Sequence, residues 1–393
     1  MSAARRRRPR TVALIALIAV SATVLSGCVR GSTLAAEAAA ATSVDAASSP
    51  CPEALADAQT AVKAATAVDS PWNGPTTGPA AQAGKLVVYV AAAMTNPGVA
   101  GVAAGVQQAG EAIGWDVRVL DGQGDQATIQ SALGQAIALN PDGIIIGGFD
   151  PKSSQSQVDQ ATAAGIPLIG WHAVGDPGPS TDPKLFTNVT ISVDEVSKIS
   201  AQWIIARSGG DAGVVVFTDN SIPFAAGKAK SIEQDLTACA GVKILDEQNI
   251  PIPDAGSRTP QAFSSLASTL GDSWNYSVAI NDLYFDNAAT PLRAAGKQGS
   301  GAPFNVGAGD GSPAAFQRIA AKEFQAATVP EPLTQEGWQI IDEFNRAFAG
   351  QPPSGYAPEV HVTDTTNVGT TTAWDPTNGY QDVYRKIWAG TGS

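Results

Sequence analysis

Histidine, methionine and cysteine are scarce in this chain, at two, two and three among 393 residues. With only His172 and His361 and no Cys-rich or His-rich cluster, no metal site of the usual spacing is expected. No Gly-x-Ser-x-Gly elbow occurs, which removes the common serine-hydrolase arrangement. No Walker A sequence occurs, because Gly296-Lys297 lacks both the following Ser or Thr and the upstream glycine. Past the N-terminal segment, no apolar run is long enough to span a bilayer. Positive charge is also in deficit: 24 basic against 36 acidic residues give a net charge of −12. A body this acidic argues against nucleic acid and against an electrostatically held membrane surface.

The one basic stretch lies at the N-terminus. Arg5 to Arg8 and Arg10 precede an apolar segment, Thr11 to Leu25, too short for a permanent membrane span. It closes on Leu25-Ser26-Gly27-Cys28. This resembles a bacterial lipoprotein signal, which implies cleavage before Cys28 and lipid attached to it. The arginine run leaves general and twin-arginine export both open. Residues 1–27 hold five arginines and no acid, so their removal takes the charge from −12 to about −17. The anchor must then be the lipid, since anionic headgroups repel such a body. Cys51 and Cys239 remain as an even pair in an oxidising compartment, either bridged or as two free thiols. No cofactor is implied.

Residues 28–83 read as the lipidated cysteine, an Ala/Ser/Thr/Gly-rich tether over 29–50, a short helix over 52–67 and a Pro-rich loop over 70–84. From Lys85 apolar strands recur every 25–30 residues with helices between them. Leu86–Val90, Asp116–Leu120, Gly143–Gly147 and Ile166–Gly170 form a first array. Val214–Phe217, Val242–Ile250, Ser277–Asn281, Phe304–Gly307 and residues 324–329 form a second. Helices are expected over 125–139, 223–237, from about Pro260, up to Leu292, and over Leu333–Phe348. Strands apolar throughout are buried on both faces, which predicts α/β architecture: two doubly wound, parallel-sheet lobes. Ligands in such sheets bind outside the strands' carboxyl ends, so two facing lobes place a site in the cleft between them.

Polar and aromatic residues gather at those ends. Thr95, Asn96, Phe149, Asp150, Trp171 and His172 do so in the first array, and Thr218, Asp219, Asn220, Asn281, Asp282 and Asp310 in the second. Each alone is as readily a turn former or helix cap; together they suit a hydroxyl-rich ligand that needs fixed donors, acceptors and an apolar face. Gly122-Gln123-Gly124-Asp125 fits a dinucleotide fingerprint on paper, but it follows the second strand and reads as a tight βα turn capped by Asp125.

Specific stretches then resemble the type I periplasmic binding proteins, in particular the ribose- and galactose-binding branch that serves ABC importers. They are Thr95-Asn96-Pro97, Ala163 to Ile169, Asn281-Asp282, Leu292 to Gly296 and Val306 to Gly311. The resemblance runs from Lys85 to Val362. It implies polar ligand contacts at Asn96, Lys228, Asn281, Asp310 and Glu331. Lys228 stands where an arginine is usual, Glu331 where ribose binders carry glutamine, His172-Ala173 where sugar binders carry aspartate–arginine, and Gly98-Val99 where stacking aromatics are usual. Trp171, Phe224, Tyr284 or Phe285 are the replacement candidates for the stack. Asp150, Asp310 and Glu331 with only Lys228 opposing disfavour an anionic ligand.

The resemblance also implies hinge crossings near Ser192, Pro332 and Val362. The first lobe would comprise 84–192 plus 332–361, and the second 193–331 plus 362–393, with a terminal helix through Tyr380, Tyr384 and Trp388. The expected function is capture of a small polar solute (sugar, polyol or modified sugar) by a monomer, without catalysis, and delivery to an ABC permease outside the cytoplasm. Two alternatives stand beside it: a sensory component passing occupancy to a chemoreceptor or kinase, and a secreted enzyme with His172 and Asp150 as its acid–base pair.

Overall fold

A computed structural model describes residues 48–67 and 71–391. The signal segment, Cys28 and nearly all of the expected tether lie outside them. The first helix, α1 (Pro52–Ala65), carries proline at its start and buries Leu55, Ala58 and Ala65. Cys51, just before it, is disulfide-bonded to Cys239 across 188 residues, with Cα atoms 5.2 Å apart.

The first lobe is the repeating unit β1 (Leu86–Ala91), α2 (Pro97–Ile113), β2 (Asp116–Asp121), α3 (Gln126–Ala138), β3 (Gly143–Gly147), α4 (Gln155–Ala163) and β4 (Leu168–Trp171). A hairpin follows, β5 (Gly178–Thr181) and β6 (Lys184–Val189). The sheet order is β2-β1-β3-β4-β6-β5, parallel except at the β5 edge. Asn188 fastens the hairpin: its Oδ1 accepts from the Ala173 amide at 3.1 Å, and its Nδ2 donates to the Val174 and Asp176 carbonyls at 2.9 Å.

The second lobe repeats the pattern. Its elements are α5 (Val193–Ser208), β7 (Ala212–Thr218), α6 (Pro223–Thr237), β8 (Val242–Asn249), α7 (Ala255–Leu270), β9 (Tyr276–Ala279), α8 (Ala289–Ala294), β10 (Phe304–Gly307), α9 (Pro313–Ala321) and β11 (Ala327–Thr328). The chain then forms α10 (Leu333–Phe348), β12 (Thr363–Asp364) and α11 (Tyr380–Trp388). The second sheet has the order β12-β11-β10-β9-β7-β8, with β12 antiparallel at its edge. Both lobes therefore are doubly wound, and each adds one antiparallel edge strand to the parallel arrangement expected.

Buried strands explain the cores. Val87 and Tyr89 of β1 face one side of the first sheet, and Val88 and Val90 face the other. The second lobe has one continuous core, which takes in Leu55 and Ala58 of α1. α7 begins at Ala255, not near Pro260, which lies inside it. Proline has no N–H for the Gly256 carbonyl, which instead accepts from Asn287 Nδ2 at 3.4 Å.

α10 leaves the second sheet and packs on α2, where Gly105 and Gly337 let the two backbones touch. The tail departs from the expected division of lobes. β12 completes the second sheet, but α11 buries Tyr380, Tyr384, Ile387 and Trp388 in the first-lobe core. Trp388 stacks on Trp338 of α10 at 5.4 Å and donates to Asp342 at 2.9 Å. Trp72, between α1 and β1, also packs there, against Tyr356, Tyr380 and Tyr384. The chain thus passes between lobes at 190–192, 329–332 and 349–362, again between α1 and Trp72, and again between β12 and α11.

Candidate functional site

In both sheets the strand order reverses beside the first strand, β1/β3 in one and β7/β9 in the other, which is where doubly wound sheets bind ligands. The loops leaving those strands face each other across the cleft. An inner chamber is lined by Asn96, Asp150, Trp171 and His172 from the first lobe and by Phe224, Lys228, Asn281 and Asp310 from the second. Val99, Phe149, Ile222, Ile252 and Ile280 complete its wall. Phe149 reads in the sequence as a strand-end residue and Val99 as a departure from the usual aromatics, whereas Ile222, Ile252 and Ile280 look like ordinary core positions.

His172 is the centre of the chamber. Its ring lies on Trp171 at 4.1 Å and under Phe224 of the opposite lobe at 5.4 Å. Its Nε2 donates to the Glu331 carboxylate at 2.8 Å. The residue has a left-handed backbone, φ 50°, which turns the ring off the end of β4. Among the four aromatic candidates, Phe224 and Trp171 reach the chamber; Tyr284 and Phe285 are fully buried in the second-lobe core.

The charged groups around the chamber answer one another. Burial works against the Glu331 carboxylate, but His172 beside it, Glu336 and Lys228 together hold its pKa below the usual range. Glu336, on the first turn of α10, is the reverse case: burial and then repulsion from Glu331 push its pKa well up. Its Oε2 accepts from Trp171 Nε1 at 2.8 Å, locking the indole that supports His172. Burial lowers the pKa of Lys228, which donates to the Ala308 carbonyl at 2.8 Å and lies 5.3 Å from the Phe224 ring centre. Burial raises the pKa of Asp310, against the attraction of His172 and Lys228.

Asn96 and Asn281 double as turn anchors. The Asn96 side chain caps α2, accepting from the Gly98 amide at 2.9 Å, and that of Asn281 accepts from the Leu283 amide at 3.1 Å. Asp150 accepts from the Lys152 amide at 2.9 Å. It is not joined to His172, whose partner is Glu331, so the expected acid–base pair does not form. Asp282 is the other correction. It does not line the inner chamber. Its carboxylate accepts from the Gly311 and Ser312 amides at 2.8 and 3.1 Å, from Thr328 Oγ1 at 3.0 Å and from Gln325 Nε2 at 2.5 Å. Burial raises its pKa to about 7. Asp282 holds the loop that carries Asp310 and is spent on that task.

The lobes are closed on each other. A Cβ on Gly98 would lie 2.7 Å from the Asp310 carboxylate, so only glycine lets that acid approach the start of α2. Among the described residues no group of His, Cys, Asp and Glu could hold a metal ion, and no helix is long and apolar enough to cross a membrane.

Two doubly wound lobes joined by hinge segments and closed over a polar, aromatic-lined chamber define a solute-binding protein architecture. The chain belongs to the periplasmic binding protein domain family, which it matches over residues 87–352. That is a family of binding proteins rather than enzymes, and it places the chain outside the cytoplasm. Among solved structures it is similar to an ABC transporter solute-binding protein from Agrobacterium vitis with bound allitol, at 20% identity and a TM-score of 0.63, covering 72% of this chain and 97% of that one. A second protein from that organism, with bound α-D-tagatopyranose, gives 16% identity, a TM-score of 0.64 and coverage of 74% and 97%. A Mycobacterium smegmatis solute-binding protein with bound glycerol gives 16% identity, a TM-score of 0.62 and coverage of 75% and 98%. No curated protein matches the chain.

Proposed function

We propose that this protein is a lipid-anchored, extracytoplasmic solute-binding protein that captures an uncharged, hydroxyl-rich solute, a sugar or polyol, and delivers it to an ABC importer. One observation carries the reading. Three carboxylates, Asp150, Asp310 and Glu331, stand in or beside the chamber against Lys228 and His172, so no cationic group is left over to match an anionic ligand. What the chamber does offer is an apolar wall of Val99, Phe149, Ile222 and Ile252 and hydrogen-bonding atoms on Asn96, Asn281 and Asp310. That combination suits the apolar face and polar rim of a sugar or polyol. The three similar structures carry such solutes, which supports the choice of class.

A thermal-shift screen of the purified protein against sugars, polyols, amino sugars, amino acids and organic acids tests this. A ligand at a hundred times its Kd adds about 2.7 kcal/mol. Hits confined to neutral hydroxylated solutes support the reading, and hits among amino acids or organic acids overturn it. For the anchor, Cys28→Ser is expected to move the protein from the detergent phase to the aqueous phase on phase partition. Retention in the detergent phase would remove the lipid from the account.

A further inference from the structure

The inner chamber does not end the cleft. Its free volume is about 70 Å³, and it shares Asn96, Phe149, Asp150, Ile222 and Ile252 with an outer chamber of about 580 Å³. The lobes already meet at the inner end and on one flank of this larger space. His172 stacks on Phe224 at the inner end, and Asp310 abuts Gly98 on one flank. At the outer rim a Cβ on Gly124 would lie 4.0 Å from Cγ of Pro253 in the other lobe. A solute that filled only the inner chamber would leave this larger, partly open space unfilled.

The two walls of the outer chamber differ in chemistry. The first lobe contributes Thr95, Gln123 and Gln126 beside Ala93 and Phe149, and the second contributes Ile222, Pro223 and Pro253 beside Asp219 and Ser221. The side chains of Thr95 and Gln123 are exposed and have no hydrogen-bond partner among the described residues. Gln126 is held over the chamber by donating its amide to the Ser153 carbonyl at 2.9 Å and to Ser154 Oγ at 3.0 Å. Amide and hydroxyl groups facing an Ile–Pro surface match a pyranose ring edge-on to one wall and C–H face down on the other.

We propose that the outer chamber is a second subsite for a further hydroxylated ring, so that the solute is an O-glycoside or short oligosaccharide with its terminal unit in the inner chamber. This rests on the sugar-or-polyol reading of the inner chamber and extends it.

Calorimetric titration of the full protein with matched pairs tests it: glycerol with glucosylglycerol, galactose with melibiose, and myo-inositol with galactinol. The Gln123→Gly, Thr95→Val double variant serves as control. Both positions are exposed, and glycine suits the left-handed backbone at 123, φ 56°. The subsite predicts that, in at least one pair, the glycoside binds at least tenfold more tightly than its parent. It also predicts that the double variant loses that gain while the parent's affinity stays unchanged. Equal binding within every pair, or tighter binding by a parent, overturns the subsite and leaves sugar capture standing. A glycoside preference that the double variant retains also overturns the placement. No binding by any member of any pair removes the subsite and the sugar-or-polyol reading together.

Discussion

His172 Nε2 donates a 2.8 Å hydrogen bond to the carboxylate of Glu331, joining the end of β4 in the first lobe to the segment through which the chain leaves the second. The pair is buried at both ends, with side chains 9% and 1% exposed. Taking away one partner leaves a charge in a poor solvent, a larger loss than the pair's own net worth. His172→Ala is therefore expected to destabilise the protein by about 3 kcal/mol. Glu336→Gln keeps an acceptor for Trp171 Nε1 and removes an acid whose charge burial and Glu331 already oppose, so it is expected to cost under about 1 kcal/mol. Urea unfolding of the two variants at pH 7 checks the contrast, and equal losses would contradict it.

Asp310 and Asp282 are predicted to separate. Asp310 lines the chamber, and Asp282 holds its loop through four hydrogen bonds. Asp310→Ala should weaken solute binding at least tenfold with little change in Tm. Asp282→Ala should lower both affinity and Tm, because several buried donors lose their acceptor at about 1–3 kcal/mol each. Calorimetric titration alongside scanning calorimetry reads both. A full-affinity Asp310→Ala protein would move the ligand elsewhere.

Glu343 gives a pH dependence with a definite sign. It lies on α10 and accepts from the Ser354 amide, and burial raises its pKa to about 7. The folded state then holds a proton that the unfolded state releases at its ordinary pKa of 4.5. Its contribution to stability is complete below pH 4.5 and is lost as pH rises to 7. His361 acts in the opposite direction, since burial lowers its pKa to about 4. Its effect is common to wild type and a Glu343→Gln variant and cancels in their difference. Between pH 4 and pH 8 the variant should gain about 3 kcal/mol relative to wild type. Chemical denaturation at the two pH values measures it, and an unchanged difference would refute it.

The disulfide predicts a stability effect without a binding effect. Cys51 and Cys239 close a loop of 188 residues, and its removal frees that much chain in the unfolded state. Cys239→Ser is expected to lower stability by about 4 kcal/mol and leave solute affinity within twofold. Denaturation and titration of the same sample distinguish the two quantities.

Much of the fold was legible because the buried strands announce themselves. Ile144-Ile145-Ile146 and Val214-Val215-Val216 admit little but a strand covered on both faces, and helices 223–237 and 333–348 were bounded correctly by proline and the apolar stripe. The β5–β6 hairpin was not legible. Residues 178–189 lack an apolar alternation, and what holds them is Asn188 reaching back to 173–176. For α11 the helix was readable but its partner was not: a stripe of Tyr380, Tyr384 and Trp388 says that something is covered, and only the fold says it is Trp338. The site divides in the same way. Positions at strand ends could be read, hence Asn96 and Asp310, while Lys228, inside α6, came only from the family resemblance. Roles could not, because the donors that occupy Asp282 lie 29 to 46 residues away in sequence.

The alternation of the termini between lobes has a mechanical consequence. α1 is sewn to the second lobe by the disulfide, while Trp72, a few residues on, is wedged among the tyrosines of the first. At the other end β12 belongs to the second lobe and α11 to the first. Any swing that parts the lobes must draw on five strings at once, and two of these are short and pinned at both ends. Opening the jaw must therefore also work against the disulfide-held α1 and the buried α11, and loosening either end should ease it.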